Sequence, residues 1–437
     1  MKFSNQRKFL AIALACSVFL GACGGGEDLQ SETVAPMETA TSPTDAQREI
    51  ALGLATASSN TADSTEDYSI RFGPDDFVGD DVPVLDPLTF VNEQANDSNA
   101  LLSSNLAAGV VTKWNPGHYI EYGSNAGDFV IDAGLNETAG MPHVKGIMVR
   151  ANWRQLEKSK GVYDFSRIDR YLNKAKAKGK RLFLTLGTKT FDGDKAVPDY
   201  LRTAQYSGGA FRIGTIKGTY GENASLHDDD VRNRLIALVQ ALGKRYNKDN
   251  SFEGITFTET AFGMMVKPLS DAQKKQFFSN LAKVDTAARA AFPNSVVLQF
   301  INYPANLVPP LFQNMKDKGV GMGGPDVFIN DPDLERSAYV FNDKAKGVIP
   351  IGMKVESDSY EAVRHGGPYV QVDVRKIYTF ARDQLHSNYV FWYRHTSKHN
   401  PWQDVLRMFK GEAFPQGGAG GLNAGCPSKF ASCAPKL

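Results

Sequence analysis

Three features are scarce in this sequence of 437 residues: it has four cysteines, seven histidines and almost no net charge, formally +1. A balanced charge excludes the concentrated basic surface that nucleic-acid phosphates require, so no nucleic-acid partner is expected. A glycine-rich phosphate turn after an early strand is also missing, which argues against a doubly wound nucleotide-binding sheet. We expect no metal or other cofactor, because the two tail cysteines have no histidine beside them to complete a metal site.

The first 23 residues have the features of an export signal. Basic residues at positions 2, 7 and 8 precede the apolar run Phe9–Leu20, which is too short to span a membrane, and small residues lead to Cys23. The stretch resembles a bacterial lipoprotein signal, which implies removal of residues 1–22 and a membrane anchor through lipidated Cys23. Gly24 after this cysteine implies an outer-membrane protein that faces the periplasm or the cell surface. A plain secretory signal with a chance cysteine is the alternative.

Residues 23–67 are predicted to be a disordered acidic tether, because they contain too few apolar side chains to offset the entropy of ordering. With Cys16 removed in the signal and Cys23 acylated, only Cys426 and Cys433 remain. An exported protein favours a disulfide between them, within a glycine-rich tail at residues 416–437.

The rest of the chain alternates between strand and helix patterns. Strands are predicted at Val110–Trp114, Val144–Val149, Arg181–Leu186, Ile255–Thr258, Val296–Ile301, Asp326–Ile329, Val348–Val355 and Tyr389–Tyr393. Helices are predicted at Phe165–Lys178, Asp228–Tyr246, Leu269–Phe292, Leu307–Lys318, Val372–Leu385 and Pro401–Lys410. Eight such units predict an α/β fold, a (β/α)8 TIM barrel, with a single catalytic domain over residues 68–415.

The densest motif follows the second predicted strand. Within Gly146–Asp169 the strand ends near Arg150, and the patterns W-x-x-L-E (residues 153–157) and G-x-Y-D-F-S-x-I-D (residues 161–169) come next. This stretch resembles clan A retaining glycoside hydrolases, notably family 42 β-galactosidases and relatives in families 5 and 39. The resemblance implies an acid/base carboxyl group at the end of strand four and a nucleophile at the end of strand seven.

Two glutamates follow predicted strands at those places, Glu259 after the fourth and Glu356 after the seventh. The resemblance implies that Glu259 is the acid/base and Glu356 the nucleophile. Retaining hydrolysis needs one protonated and one ionised carboxyl group about 5 to 5.5 Å apart. Either glutamate could instead be a surface or salt-bridged residue, with Asp331 or Asp358 carrying the charge.

Further polar side chains are expected to bind substrate. The clan pattern has asparagine before the acid/base glutamate, whereas Thr258 stands here, so Asn302 is a candidate for the missing amide contact. Arg150, Tyr303 and Lys354 are candidates for keeping the nucleophile ionised.

Aromatic and cationic residues complete the predicted cleft. Trp392 resembles the strand-eight tryptophan that lies beneath the cleaved sugar, and Trp114, with Tyr119 and Tyr122, could extend the cleft, although core packing is the alternative for Trp114. A cationic mouth suits an anionic polysaccharide, or it supplies counterions for the carboxylates: Lys113, Arg150, Lys189, Lys354, Arg394 and His395.

The sequence therefore predicts a lipid-anchored retaining glycoside hydrolase that cleaves a poly- or oligosaccharide, such as a bacterial exopolysaccharide. The alternative is a catalytically inactive TIM barrel that binds glycans or assists polysaccharide export or assembly, and Thr258 keeps this alternative open. No sequence feature indicates an oligomeric state.

Overall fold

Eight parallel strands close into a barrel in the computed structural model, which describes residues 109–124, 126–214, 220–361, 371–396, 399–411 and 420–437. The predicted signal, Cys23 and tether lie outside these residues. The barrel strands are β1 (Gly117–Tyr122), β2 (Val144–Asn152), β3 (Arg181–Gly187), β4 (Phe252–Phe257), β5 (Val296–Phe300), β6 (Gly321–Gly324), β7 (Ile351–Val355) and β8 (Tyr389–Tyr393). Each strand pairs with its neighbour in sequence, and β8 pairs with β1. The predicted (β/α)8 barrel is therefore confirmed.

Helices pack around the barrel. In the described part of the chain, those of six residues or more are α1 (Asp128–Glu137), α2 (Ser166–Ala177), α3 (Asp229–Tyr246), α4 (Asp271–Ala291), α5 (Val308–Lys318), α6 (Pro332–Ser337), α7 (Val374–Thr379) and α8 (Pro401–Lys410). Five of the six predicted helices agree with these bounds within about two residues, the usual uncertainty of helix ends. The sixth, predicted at Val372–Leu385, divides into α7 and the π-helical segment Phe380–Gln384. In the described part of the chain, no helix combines the length and apolar character needed to cross a bilayer.

Side chains of the strands alternate between the barrel interior and the surrounding helix layer, as extended backbone requires. Aromatic rings fill the interior, among them Tyr119, Phe183, Tyr389 and Phe391. The residue between the last two, Val390, belongs instead to the core shared with the helices. The barrel is thus a packed core, and its polar chemistry lies at its two ends.

The first barrel strand is not the predicted one. Val111–Lys113 is a strand, as its β-forming residues suggest, but it pairs with Ser432–Ala434 of the tail and not with the barrel. The first barrel strand is Gly117–Tyr122. The prediction was wrong because β-propensity identifies a strand without identifying its partner.

The sixth barrel strand is also misplaced in the prediction. It is Gly321–Gly324, not Asp326–Ile329. A Cβ atom at Gly323 would lie 1.9 Å from the Gly352 carbonyl oxygen and 2.7 Å from the Phe300 ring, so only glycine fits. Glycine is depleted from strands in general, which is why the sequence pattern concealed this one.

The C-terminal tail closes the base of the barrel, the end at which the strands begin. The predicted disulfide between Cys426 and Cys433 is present. Phe430 lies edge-on to Trp114, with ring centroids 6.1 Å apart, and Trp114 Nε1 donates to the Ala424 carbonyl oxygen at 2.8 Å. The disulfide therefore constrains a segment that packs against the barrel.

Asp285, in the middle of α4, is a buried acid whose carboxyl group has no hydrogen-bond partner among the described residues. Its side chain is fully buried. Burial raises the pKa of Asp285 well above its usual value. The folded protein therefore keeps this proton where the unfolded chain has lost it. The resulting stability is complete at low pH and is lost as pH rises toward the folded-state pKa.

Asp285→Asn is expected to stabilise the protein at pH 8 and to change it little at pH 4. Each pH unit between the unfolded and folded pKa costs the wild type about 1.4 kcal/mol, so a gain of at least about 1 kcal/mol in the free energy of unfolding is expected at pH 8. Urea unfolding at both pH values measures this. Asp317→Asn, at an exposed site on α5, is the control and should stay within about 0.5 kcal/mol of wild type. Equal stability of Asp285→Asn and wild type at pH 8 would contradict the assignment.

Candidate active site

Carboxylate and ammonium groups meet at the mouth of the barrel, the end at which the strands finish. Glu259 lies two residues after β4, and Glu356 directly follows β7. Their side chains are 17% and 31% exposed, respectively. Each is bound to a lysine that is almost fully buried, Lys189 or Lys354. The mouth therefore presents two accessible carboxylates, each with a fixed cation.

Lys189 holds Glu259 in its ionised form. The Lys189 ammonium lies 2.9 Å from Glu259 Oε1 and also donates to the main-chain oxygens of Glu259 and Ala261. Burial raises the pKa of Glu259, but the charge and hydrogen bond of Lys189, together with the charge of Arg150, outweigh it and lower this pKa to about 2. Glu259 is thus an anion at neutral pH, whereas the predicted acid/base role requires a protonated form.

The segment between β3 and α3 positions Lys189. Lys189–Thr190 is an edge strand of a small antiparallel sheet and pairs with Tyr220–Ala224. The next strand is Ala210–Gly214, and Met264–Met265 pairs with it at the opposite edge. This antiparallel sheet connects the chain before Glu259 with the chain after it. Phe191 follows Thr190 and is 45% exposed, with its ring centroid 5.9 Å from the Lys189 ammonium.

A second group of charges connects β7 with β1. The Lys354 ammonium contacts Glu356 Oε1 and lies 3.4 Å from Glu121 Oε1. Glu121 is 2% exposed, and its Oε2 has no hydrogen-bond partner among the described residues. Glu121 was not among the predicted site residues, because the predicted first strand ended before it. A single acid within the otherwise strand-forming run His118–Tyr122 was the available signal.

Burial and neighbouring charges shift the pKa values of this group. Burial raises the pKa of Glu121 to about 7, with Lys354 lowering it and Glu356 raising it further. Burial alone would lower the pKa of Lys354, but the charges of Glu121 and Glu356 outweigh this effect and raise it. Lys354 therefore stays a cation, and Glu121 exchanges its proton close to neutral pH.

Arg150 lies between the two groups of charges. It donates from Nη2 to the Lys189 carbonyl oxygen at 2.6 Å, and its charge lowers the pKa of both Glu259 and Glu121. Gly187, at the end of β3, makes room for it, since a Cβ atom there would lie 3.1 Å from Arg150 Nε. The guanidinium group thus stabilises negative charge on both sides of the mouth.

The predicted polar contacts to substrate are engaged within the protein. Thr258 Oγ1 lies 2.9 Å from Thr188 Oγ1. Asn302 is fully buried, and its Oδ1 accepts from the main-chain N–H groups of Ala261 and Tyr303 at 2.9 and 2.8 Å. Tyr303 is buried as well. Asn302 therefore connects the loops after β4 and β5, and its amide oxygen is not free for a sugar hydroxyl.

Neither predicted tryptophan lies at the mouth. Trp114 packs against Tyr389 at the base, with ring centroids 5.3 Å apart, because its strand belongs to the tail sheet. Trp392 is fully buried and faces the helix layer, where its Nε1 donates to His118 Nδ1 at 3.0 Å. Tyr119 lies inside the barrel, and the buried Tyr122 packs in the helix layer. The predicted extension of the cleft by these residues is therefore wrong.

The aromatic residue that β8 contributes to the mouth is Tyr393. It is partly exposed and lies in register with Glu121 on the neighbouring strand. Burial and the charges of Glu121 and Glu356 raise its pKa. Strand alternation places Tyr393 on the inner face of β8 and Trp392 on the outer face.

The predicted cationic mouth is present in part. Arg150, Lys189 and Lys354 lie among the carboxylates, and the ring of His395 stacks on that of Tyr393, with centroids 5.8 Å apart. Lys113 instead donates to main-chain oxygens at the base, and Arg394 pairs with a glutamate of α1. Lys189 and Lys354 are thus counterions of the carboxylates at the mouth.

Several acids from the sequence motifs have structural roles. Glu157 is fully buried and accepts a hydrogen bond from Trp153 Nε1 at 2.8 Å. Asp164 accepts from the first residue of α2, and Asp331 caps α6. Glu157 and Asp164 of the motif that resembles glycoside hydrolases therefore have structural roles. Within the described ranges, no group of three or more His, Cys, Asp or Glu side chains could hold a metal ion.

The chain matches no protein-family model and no curated protein sequence. It is similar to the solved catalytic domain of β-amylase from Paenibacillus polymyxa, with 11% identity, a TM-score of 0.47 and coverage of 70% of this chain and 100% of that one. It is also similar to β-galactosidase from Bacillus circulans sp. alkalophilus, with 12% identity, a TM-score of 0.48 and coverage of 68% and 56%. A third structure is GH5_18 from Streptomyces cattleya in complex with Manb1-4GlcNAc, with 13% identity, a TM-score of 0.45 and coverage of 64% and 71%. Similarity at this level says nothing about substrate or reaction, and the barrel assignment rests on the strand pairing.

Trp392→Phe is expected to lower stability, because it removes the hydrogen bond to His118 and leaves space in the helix layer. A loss of about 2 to 3 kcal/mol in the free energy of unfolding is expected, measured by urea denaturation. Phe191→Leu, at a half-exposed site, is the control and should change it by less than about 0.5 kcal/mol. A Trp392→Phe protein as stable as wild type would contradict the buried placement.

Proposed function

We propose that this chain is a retaining glycoside hydrolase that cleaves a poly- or oligosaccharide with Glu259 and Glu356 as its catalytic carboxyl groups. The supporting observation is the placement of two partly exposed glutamates at the carboxyl ends of β4 and β7, each beside a buried lysine. Active sites of TIM barrels lie at this end, and glycoside hydrolysis uses two carboxyl groups that flank the scissile bond.

Glu356 is the proposed nucleophile. Lys354 stays cationic beside it, which favours the ionised carboxylate that attack on an anomeric carbon requires. The attack forms a glycosyl ester on Glu356, and water then hydrolyses this ester with net retention.

Glu259 is the proposed acid/base. In the substrate-free protein Lys189 and Arg150 keep it ionised, so it must gain a proton before it can assist a leaving oxygen. A sugar that covers the mouth would exclude water and strengthen the effect of burial, which raises the pKa of a carboxyl group. The role therefore requires that substrate binding weakens the contact between Glu259 and Lys189.

Sugar rings have apolar faces that pack on exposed aromatic side chains. Phe191 and Tyr393 occupy the mouth in place of the predicted tryptophans. Lys189 and Lys354 are paired with carboxylates, which favours their interpretation as counterions over recognition of an anionic polysaccharide. A lipid anchor at Cys23 is part of the proposal and would place the hydrolase at the outer membrane.

Two observations favour a second candidate function, an inactive barrel that binds glycans or assists polysaccharide export or assembly. Glu259 is ionised where an acid is needed. Thr258, which replaces the expected asparagine, has its hydroxyl beside that of Thr188. In this candidate the mouth binds a glycan without cleaving it.

The two functions differ in their response to Glu259→Gln and Glu356→Gln. For the hydrolase, both variants should fold and lose turnover by about a thousandfold or more on any bacterial exopolysaccharide that the full-length protein cleaves. A panel of 2-deoxy-2-fluoroglycosyl fluorides should label Glu356, as read by peptide mass spectrometry. Gln273→Glu, at an exposed site of α4, is prepared in the same way as a control and should keep the wild-type turnover. Saturable glycan binding with neither hydrolysis nor label would support the binding protein.

Lys189→Met tests the role of Glu259. Without the ammonium group the pKa of Glu259 rises from about 2, so its protonated fraction at neutral pH increases. If Glu259 is the acid, the basic limb of the pH dependence of kcat/KM should move to higher pH by about one unit or more. Lys189→Arg retains the charge and should leave the limb close to its original place. Movement of the acidic limb instead would identify Glu259 as a group that must be ionised.

A further inference from the structure

Glu121 is a buried carboxyl group at the mouth that the proposed reaction does not use. It lies at the end of β1, is 2% exposed, and shares the Lys354 ammonium with Glu356. Its second oxygen, Oε2, is buried without a hydrogen-bond partner among the described residues. Burying an ionised carboxylate with an oxygen that accepts no hydrogen bond costs free energy. Protonation of Glu121 removes this charge.

We propose that Glu121 is a positioning residue, which shares the Lys354 ammonium group with Glu356 and takes it over when Glu356 becomes a neutral ester. The inference rests on the proposed role of Glu356 as nucleophile. It assigns Glu121 no contact with the sugar, because its side chain is almost fully buried.

The surroundings of Glu121 determine how its proton responds. Lys354 and Glu356 face it from β7 and its end, and Arg150 acts on it from β2. Tyr360, in the segment Ser357–Glu361, and Tyr393, on β8, also lie near Glu121. Burial and the negative charge of Glu121 raise the pKa of both phenols. In the described surroundings, Glu356 is thus the neighbour whose negative charge opposes ionisation of Glu121, and Lys354 and Arg150 favour it.

Two charge states of the group follow. While Glu121 holds a proton, the whole charge of Lys354 is available to Glu356. When Glu121 is ionised, it competes for the same ammonium group and repels Glu356. The electrostatic surroundings of Glu356, at the end of β7, therefore depend on Glu121 of β1, and β8 lies between these two strands.

The same coupling operates during the proposed reaction. A carboxylate oxygen of Glu356 forms a bond to the anomeric carbon, and the glycosidic bond breaks with its electron pair going to the leaving oxygen, which takes a proton from the acid. Glu356 is then a neutral ester, and Lys354 keeps Glu121 as its carboxylate partner. Glu121 releases its proton to solvent at this stage and recovers one when water hydrolyses the ester, so no net proton is consumed by Glu121.

The test is a titration of the carboxyl groups by carbon-13 NMR, on the full-length protein labelled at glutamate side-chain carboxyl carbons and without any sugar. One signal should titrate near neutral pH in wild type and be missing in Glu121→Gln. In Glu356→Gln its midpoint should fall by at least about one pH unit, because the neighbouring negative charge is gone. Glu259→Gln, which changes the other side of the mouth, is the matched control and should leave the midpoint within about half a unit. Circular dichroism checks that each variant is folded.

Each outcome decides the inference separately from the proposed function. No signal that titrates above about pH 6, or a midpoint that Glu356→Gln does not move, would overturn it, whatever activity the protein has. The expected shifts in a protein that hydrolyses no glycan would support the coupling of Glu121 to Glu356 and reject the hydrolase. In an active protein, Glu121→Gln should also move a limb of the pH dependence of kcat/KM, and Glu121→Asp should restore it in part, which a purely structural residue would not do.

Discussion

The arrangement of the mouth depends on one buried ammonium group. Lys354 lies on the inner face of a barrel strand, where a lone cation would be costly, and it is stable there because Glu121 and Glu356 are both within contact distance. Burial raises the pKa of Glu121, and the negative charge of Glu356 raises it further, whereas Lys354 lowers it. Burial and the shared ammonium group together therefore determine the protonation of Glu121.

The two lysines of the mouth are held in different ways. Lys354 belongs to a barrel strand, so its position is determined by the closed sheet. Lys189 belongs to a small antiparallel sheet outside the barrel, formed by the connection between β3 and α3 and a strand that follows Glu259. The position of Lys189 therefore depends on a sheet that is separate from the closed barrel.

The sequence was sufficient for the barrel and for the places of Glu259 and Glu356, because alternation of strands and helices specifies both the fold and the strand count. It was not sufficient where a strand's place depends on which segments it pairs with or packs against. Val111–Lys113 has the composition of a barrel strand but pairs with the tail, and Gly321–Gly324 lacks that composition but fits a crowded interior. The ion pair of Glu121 and the low pKa of Glu259 depend on Lys354 and Lys189, which are distant in sequence. Residue spacing within one segment does not reveal such contacts.

The strand pairing at the base determines where other molecules can be attached to the described domain through its ends. Val111–Lys113 and Ser432–Ala434 run side by side there, so the chain enters and leaves the described domain at the end opposite the mouth. A surface, a fusion partner or an affinity tag joined through either terminus starts from the far side of the barrel. The point of attachment to the described domain is then at the base and leaves the mouth uncovered.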